Sequence, residues 1–144
     1  MCFLQFTKQL KRKDMKILIA DDDMFNLLIA KAMIQKIIPK VELIEANNGK
    51  DAFAKAISVN PDLIFMDVQM PEMDGHDATI AIRKNEQTSF RHVPIIGLSA
   101  GGLEDEMKKC FLAGMDNFLT KPINIESILE TIRCYIPKSE NIIF

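Results

Sequence analysis

No stretch of this chain reaches the roughly 18 to 20 consecutive apolar residues that a membrane-spanning helix needs. Residues 1–13 scatter Phe3, Leu4, Phe6 and Leu10 ahead of Lys11, Arg12 and Lys13. They lack the continuous apolar core and small-residue cleavage site of a secretory signal. Cysteine is scarce: Cys2, Cys110 and Cys134 form no CxxC pair and leave an odd count. That usage points to reduced thiols and a cytoplasmic location. Surplus charge is missing too. A formal net charge of −2 argues against a nucleic-acid or anionic-membrane binder held by bulk charge. Histidine is limited to His76 and His92, which have no partner spacing and read as exposed, structural residues. The chain therefore offers no nucleophilic histidine of its own. No internal repeat or low-complexity segment calls for a second domain.

What is there suits one ordinary globular domain. The chain has 144 residues, of which 48% are hydrophobic and 26% charged. That length buries a substantial core. Short apolar runs alternate with helical patterns. Strands are predicted over Lys16–Ala20, Val41–Ala46, the run from Leu63 ending at Asp67, Pro94–Leu98 and Asn117–Thr120. A helix is expected from Met24 to Ile38, with Asp23 as its N-cap and Pro39 beyond its end. A second carries Ala52, Phe53, Ala56 and Ile57 on one face and ends before Pro61. A weaker helical pattern covers about 76–84, with 85–92 read as loop. Leu103, Met107, Cys110 and Phe111 mark a fourth helix closed by Gly114, with Cys110 facing inward. Ile125, Ile128, Leu129, Ile132, Tyr135 and Ile136 mark the fifth, which Cys134 flanks. This alternation implies an α/β protein, a parallel sheet with helices on both faces. We divide the chain into an extension (1–14), a domain (15–136) and a tail (137–144). Met15, which opens the first regular element, would make a natural alternative start to Met1.

The polar residues collect at strand ends. Asp21 and Asp22 follow the first strand, Asp67 ends the third, Ser99 follows the fourth and Lys121 the fifth. In an open doubly wound sheet, ligands bind outside those carboxyl ends. Carboxylates gathered there raise one another's pKa, and a hard cation such as Mg²⁺ relieves them. Lys121 adds a point charge for an anion and Ser99 a hydroxyl donor, which leaves Asp67 as a candidate nucleophile. Taken alone, the run Asp21 to Asp23 reads equally well as a helix cap with two bystanders, Ser99 as another cap, and Lys121 as a surface charge. Their joint placement at four strand ends favours the metal and phosphoryl reading.

Several motifs in order carry a resemblance. They are Ile-Leu-Ile-Ala-Asp-Asp-Asp (17–23), Met-Asp-Val-Gln-Met-Pro-Glu-Met-Asp-Gly (66–75), Leu-Ser-Ala (98–100), Ala-Gly-Met-Asp-Asn-Phe-Leu-Thr-Lys-Pro-Ile (113–123) and Asn26. Over about residues 15–136 the chain resembles the receiver domain of two-component response regulators, most closely the receivers of hybrid histidine kinases. The resemblance implies a flavodoxin-like (βα)5 fold, a doubly wound five-stranded parallel sheet of order 2-1-3-4-5. It implies Asp67 as phosphoacceptor, and Mg²⁺ (or Mn²⁺) held by Asp22 directly, Asp21 through water, Asp67, and the backbone carbonyl of Gln69. Ser99 and Lys121 would contact the phosphoryl group, Ser99 and Phe118 would form the switch pair, and Lys121–Pro122 would be a cis peptide. The implied partner is a histidine kinase or histidine phosphotransfer protein, with an unknown downstream protein, no nucleic acid and no membrane. Leu27, Ala30 and Ile34 of the first helix are the expected docking face, and Met70 and Met73 an adaptable contact surface.

Asp23 departs from the pattern, standing where such receivers usually carry Asn, and makes the crevice more acidic. Gln69 and Gly101 fall at variable positions. Phe118 lacks a hydroxyl, so any switch there works through packing. Two other classes stay open: a receiver-like interaction module that works without phosphorylation, and an aspartyl phosphohydrolase. The second is disfavoured because Gln69 stands where a second acid is needed. The expected protein is a signalling switch that catalyses only its own phosphorylation and dephosphorylation.

Overall fold

In strand β1 (Lys16–Ala20), Ile17 and Ile19 are buried in one apolar layer, Leu18 and Ala20 in another. An extended backbone turns successive side chains to opposite faces, so an uninterrupted apolar run needs cover on both sides. The computed structural model describes residues 15–89, 91–101 and 104–136, and shows how that cover is supplied. Strands β1, β2 (Glu42–Ala46), β3 (Leu63–Asp67), β4 (Ile95–Ser99) and β5 (Asn117–Thr120) pair in parallel in the order β2-β1-β3-β4-β5. Helices α1 (Met24–Ile37) and α5 (Ile125–Tyr135) cover one face. Helices α2 (Gly49–Val59), α3 (Gly75–Ser89) and α4 (Glu104–Ala113) cover the other. This is the expected flavodoxin-like topology. The expected extension 1–14 and tail 137–144, with Gly102 and Leu103, lie outside the described residues.

Caps set the helix starts. The Asp23 carboxylate accepts from the Phe25 N–H at 2.8 Å, as its position in the sequence predicts. Asn48 does the same for α2 and Asn124 for α5, each at 2.8 Å from the third residue onward. Asp74 accepts from the Asp77 N–H at 2.8 Å and opens α3. Immediately after it, a Cβ on Gly75 would collide with the backbone carbonyl of Asp67, and the Gly75 N–H donates to the Val68 carbonyl at 3.0 Å. Only glycine lets the start of α3 brace the end of β3 this closely.

Several expected faces need correction. Helix α3 runs to Ser89 instead of ending near Lys84, so most of the predicted loop 85–92 is helical. The reason is a polar network that hydrophobic spacing does not reveal. Arg83 donates to Glu86 at 2.6 Å, to the Val93 carbonyl at 2.7 Å, to the Gly114 carbonyl at 2.8 Å and to Asp116 at 2.8 Å. Glu86 accepts from the Val93 N–H at 2.6 Å, and Asp116 from the Ile95 N–H at 2.8 Å. Gly114, at φ +107°, leaves room for the Arg83 stem. Ile57 and Phe111, expected on inward faces, are 37% and 50% exposed. Met70, expected as contact surface, is buried in the core and Met73 packs against it.

The Arg83 side chain is only 16% exposed and its acidic partners 13% and 22%. Replacing it leaves two carboxylates without their cation. Arg83→Met is expected to lower the unfolding free energy by about 2–4 kcal/mol, measured by urea denaturation.

Candidate functional site

The five strands deliver their terminal side chains to one edge of the sheet. Asp21 follows β1, Asp67 ends β3, and Lys121 follows β5. Asp21 is 2% and Asp67 4% exposed, so both carboxylates have lost most of their water. Lys121 reaches between them, its Nζ 3.1 Å from Asp67 Oδ2 and 3.3 Å from Asp21 Oδ2. The second oxygen of each carboxylate takes a backbone donor. Gln69 N–H donates to Asp67 Oδ1 at 3.2 Å, and Asp23 N–H to Asp21 Oδ1 at 2.9 Å. Asp22 is exposed, and one oxygen each from Asp21, Asp22 and Asp67 lie within 4.8 Å of one another. These groups open into a cleft of about 750 Å³ that Asn26 and Gln69 also line.

One cation does not balance two buried acids. Burial pushes the Asp67 carboxyl up, the Asp21 carboxylate pushes it further, and Lys121 offsets only part, leaving it at about 6. Burial also works against the charge on Lys121, but Asp67 and Asp21 outweigh it and hold its pKa above the ordinary value. The donor set is all oxygen, rich in carboxylate and short of positive charge, which fits a hard divalent cation such as Mg²⁺.

The expected residues divide into two groups. Asp21, Asp22, Asp67, Gln69 and Lys121 come together around the cleft. Ser99 ends β4, paired beside β3, yet its hydroxyl donates to the Gly101 carbonyl at 2.8 Å and accepts from the Gly101 N–H at 3.3 Å. Phe118 is half-buried on β5, with its ring edge-on to Phe111 at 6.1 Å and 81°. The Lys121–Pro122 peptide is cis, as the resemblance implies. Asp23 caps α1 and also lines the cleft, so its carboxylate adds to the acidic rim.

Two readings of single residues are corrected. Leu27, Ala30 and Ile34, expected to dock a partner, are core residues at 3% exposure or less. The apolar residues that α1 shows to solvent are Met24, Phe25, Leu28 and Ile29, the first three at 81%, 68% and 62% exposure. His76, expected as exposed, lies in the first turn of α3 with its side chain 18% exposed, 3.6 Å from Glu106. It lines the cleft with Glu106 and Lys109, none of which sequence reasoning singled out for the site. His92 does remain exposed, beside Asp116 at 2.7 Å.

The fold and the edge of charged residues define a receiver-like α/β domain. The chain belongs to the response regulator receiver domain family, whose model matches residues 17–133. Hybrid signal transduction histidine kinase G of Dictyostelium discoideum is 38% identical over 125 residues, covering 87% of this chain and 4% of that protein. A chain in the co-crystal structure of the Saccharomyces cerevisiae histidine phosphotransfer protein Ypd1 with the receiver domain of Ssk1 superposes with a TM-score of 0.77 at 29% identity. That match covers 85% of this chain and 88% of that one. The receiver domain of sensor histidine kinase PA1611 from Pseudomonas aeruginosa PAO1, solved with magnesium in its active-site cleft, gives 0.77 at 28% identity over 88% of this chain and all of that one. The chain spans between 4% and 16% of the length of the matched histidine kinases. Among the described residues, no helix is long and apolar enough to cross a membrane.

The raised Asp67 pKa fixes the sign of a pH effect. The folded state favours the neutral carboxyl, so metal-free protein loses stability as pH rises from the ordinary value of 3.8 through about 6. In EDTA at pH 7.5, Asp67→Asn is expected to raise the unfolding free energy by about 1–3 kcal/mol. The gain should vanish below pH 4, as followed by denaturant titrations across pH.

Proposed function

We propose that Asp67 accepts a phosphoryl group from a phosphohistidine on a histidine kinase or histidine phosphotransfer protein, and that the change alters which proteins this domain contacts. The observation that carries this reading is the placement of Asp67 at 3.1 Å from Lys121 and within reach of Asp21 and Asp22 at the mouth of the cleft. We take residues 15–136 as the unit that performs it. Asp22, Asp21, Asp67 and the Gln69 carbonyl would hold Mg²⁺, which Mn²⁺ could replace, and which supplies neutralisation of phosphoryl charge.

The chain's own residues do the rest. An Asp67 oxygen attacks phosphorus as the phosphorus–nitrogen bond of the donor breaks. The electron pair stays on the imidazole nitrogen, which takes a proton from solvent. Lys121 leaves its shared position to pair with the phosphoryl oxygens, and Asp21 keeps its bond to the Asp23 N–H. The Ser99 hydroxyl, bonded to Gly101 before transfer, turns to the new oxygens, and Phe118 repacks against Phe111 on the same side of the sheet. Catalysis of this kind is positioning and charge stabilisation, with no chemistry that the aspartate cannot supply. The domain changes its own state and turns over no separate substrate. The Ypd1–Ssk1 co-crystal supports a phosphotransfer protein as the class of partner.

Acetyl phosphate with Mg²⁺ tests the acceptor directly. Intact-mass measurement should show one added phosphoryl group, lost with EDTA and absent in Asp67→Asn. No gain, or an undiminished gain in the variant, overturns the proposal and favours an interaction module that works without phosphorylation.

The exposed apolar edge of α1 beside the cleft is our docking surface for the donor. Phe25→Ser with Leu28→Ser should slow transfer from a phosphorylated phosphotransfer protein at least tenfold, while labelling by acetyl phosphate changes less than twofold.

A further inference from the structure

A second group of donor atoms converges where the first turn of α3 meets α4. Glu106 and Cys110 stand one turn apart on α4, an i, i+4 pair that shares a face. His76 approaches that face from α3. Its Nε2 lies 3.6 Å from Glu106 Oε1 and 3.7 Å from Cys110 Sγ, and all three ligand atoms fall within 4.8 Å of one another. Cys110 is fully buried, while the side chains of His76 and Glu106 are 18% and 25% exposed. A buried thiol and a partly exposed imidazole and carboxylate leave one side of the triangle facing the cleft.

The separations match those a metal imposes. Around tetrahedral zinc, bonds of about 2.3 Å to sulfur and about 2.0–2.1 Å to nitrogen and oxygen put sulfur and nitrogen about 3.6 Å apart, and nitrogen and oxygen about 3.4 Å. The His76–Glu106 and His76–Cys110 distances lie within about 0.3 Å of these values, and the Glu106–Cys110 pair falls within 4.8 Å. The donor types also differ from those beside Asp67. One nitrogen, one sulfur and one oxygen select a borderline-soft transition ion, whereas the all-oxygen set selects Mg²⁺.

We propose that His76 Nε2, the Glu106 carboxylate and the Cys110 thiolate form a Zn²⁺ site with solvent in the fourth position, clamping α4 to the start of α3. Burial and the Glu106 charge push the Cys110 thiol up in the metal-free chain, so binding releases its proton to solvent. The imidazole binds neutral, through the nitrogen that already faces the sulfur. The bond formed is zinc to thiolate, and no electron changes hands. Because His76 and Glu106 line the same cleft as Asp67, the clamp would sit beside the phosphoacceptor and act on the helix that follows Ser99.

Cobalt separates this site from the acidic one, because only a thiolate ligand gives a sulfur-to-cobalt charge-transfer band. In a Cys2→Ser, Cys134→Ser background, Cys110 is the one remaining thiol. We expect one equivalent of Co²⁺ to give that band, with the strong visible absorption of tetrahedral cobalt, and one equivalent of Zn²⁺ to abolish it. His76→Gln and Glu106→Gln should each weaken binding at least tenfold, while Asp22→Asn leaves the band unchanged. Absence of the band at tenfold excess Co²⁺ overturns the proposal. So does wild-type affinity in either substituted protein, or loss of the band in Asp22→Asn. Glu106 is partly exposed at the surface, so Glu106→Gln keeps the test valid should His76→Gln fail to fold, as judged by circular dichroism.

Discussion

One ammonium group between two water-stripped carboxylates governs the carboxyl edge of this sheet. Lys121 must cross the end of β4 to reach Asp67 and Asp21, and its own N–H is tied to the Ser99 carbonyl at 2.7 Å. Without the cation, two buried acids would face each other in a weakly polar setting, a cost far larger than a surface ion pair returns. With it the site holds together, while burial and then the Asp21 charge still push the Asp67 carboxyl up. The residual imbalance is the useful part. It gives the edge charge complementary to a hard divalent cation.

The scaffold keeps that arrangement rigid by joining strand ends to helix starts through backbone contacts. Gly75 lies against the Asp67 carbonyl, and the Val68 and Leu98 backbones bond at 3.1 Å, so β3, β4 and α3 share one frame. The groups with a choice of partner are few by comparison. Ser99 is held by Gly101, and Phe118 rests edge-on against Phe111, contacts that are weak next to a charge-assisted bond. The proposed phosphoryl group at Asp67 would therefore have specific, weak contacts to exchange.

Where the sequence spoke clearly, it did so through periodicity and strand-end position. Short apolar runs such as Leu63 to Met66, bounded by turn residues, read as two-sided strands, and an acid or lysine directly after such a run then lies at the sheet edge. The parallel α/β architecture and the strand-end placement of Asp21, Asp67 and Lys121 are legible for that reason, while the strand order rests on the resemblance. Long-range polar pairing is not legible. The helical turns beyond Lys84 owe their existence to Glu86 reaching Val93 and to Arg83 reaching Asp116, contacts that no local pattern encodes. The surroundings of His76 are hidden from local pattern for the same reason, since its neighbours Glu106 and Cys110 are about thirty residues away along the chain. On α1 the helical spacing identifies a real apolar stripe, but the sheet covers it and not a partner. Leu27, Ala30 and Ile34 form the stripe, and a stripe belongs to the core before it belongs to a partner.

The Arg83 network lies at the amino ends of β4 and β5, across the full length of the sheet from Asp67. The proposed acceptor and this cohesive network thus lie at opposite poles of the same five strands. Sequence drift can trade an arginine, a glutamate or a loop length at the quiet pole and reset how firmly the molecule holds together. A domain organised this way is free to be retuned for new temperatures and new host proteins without being reinvented.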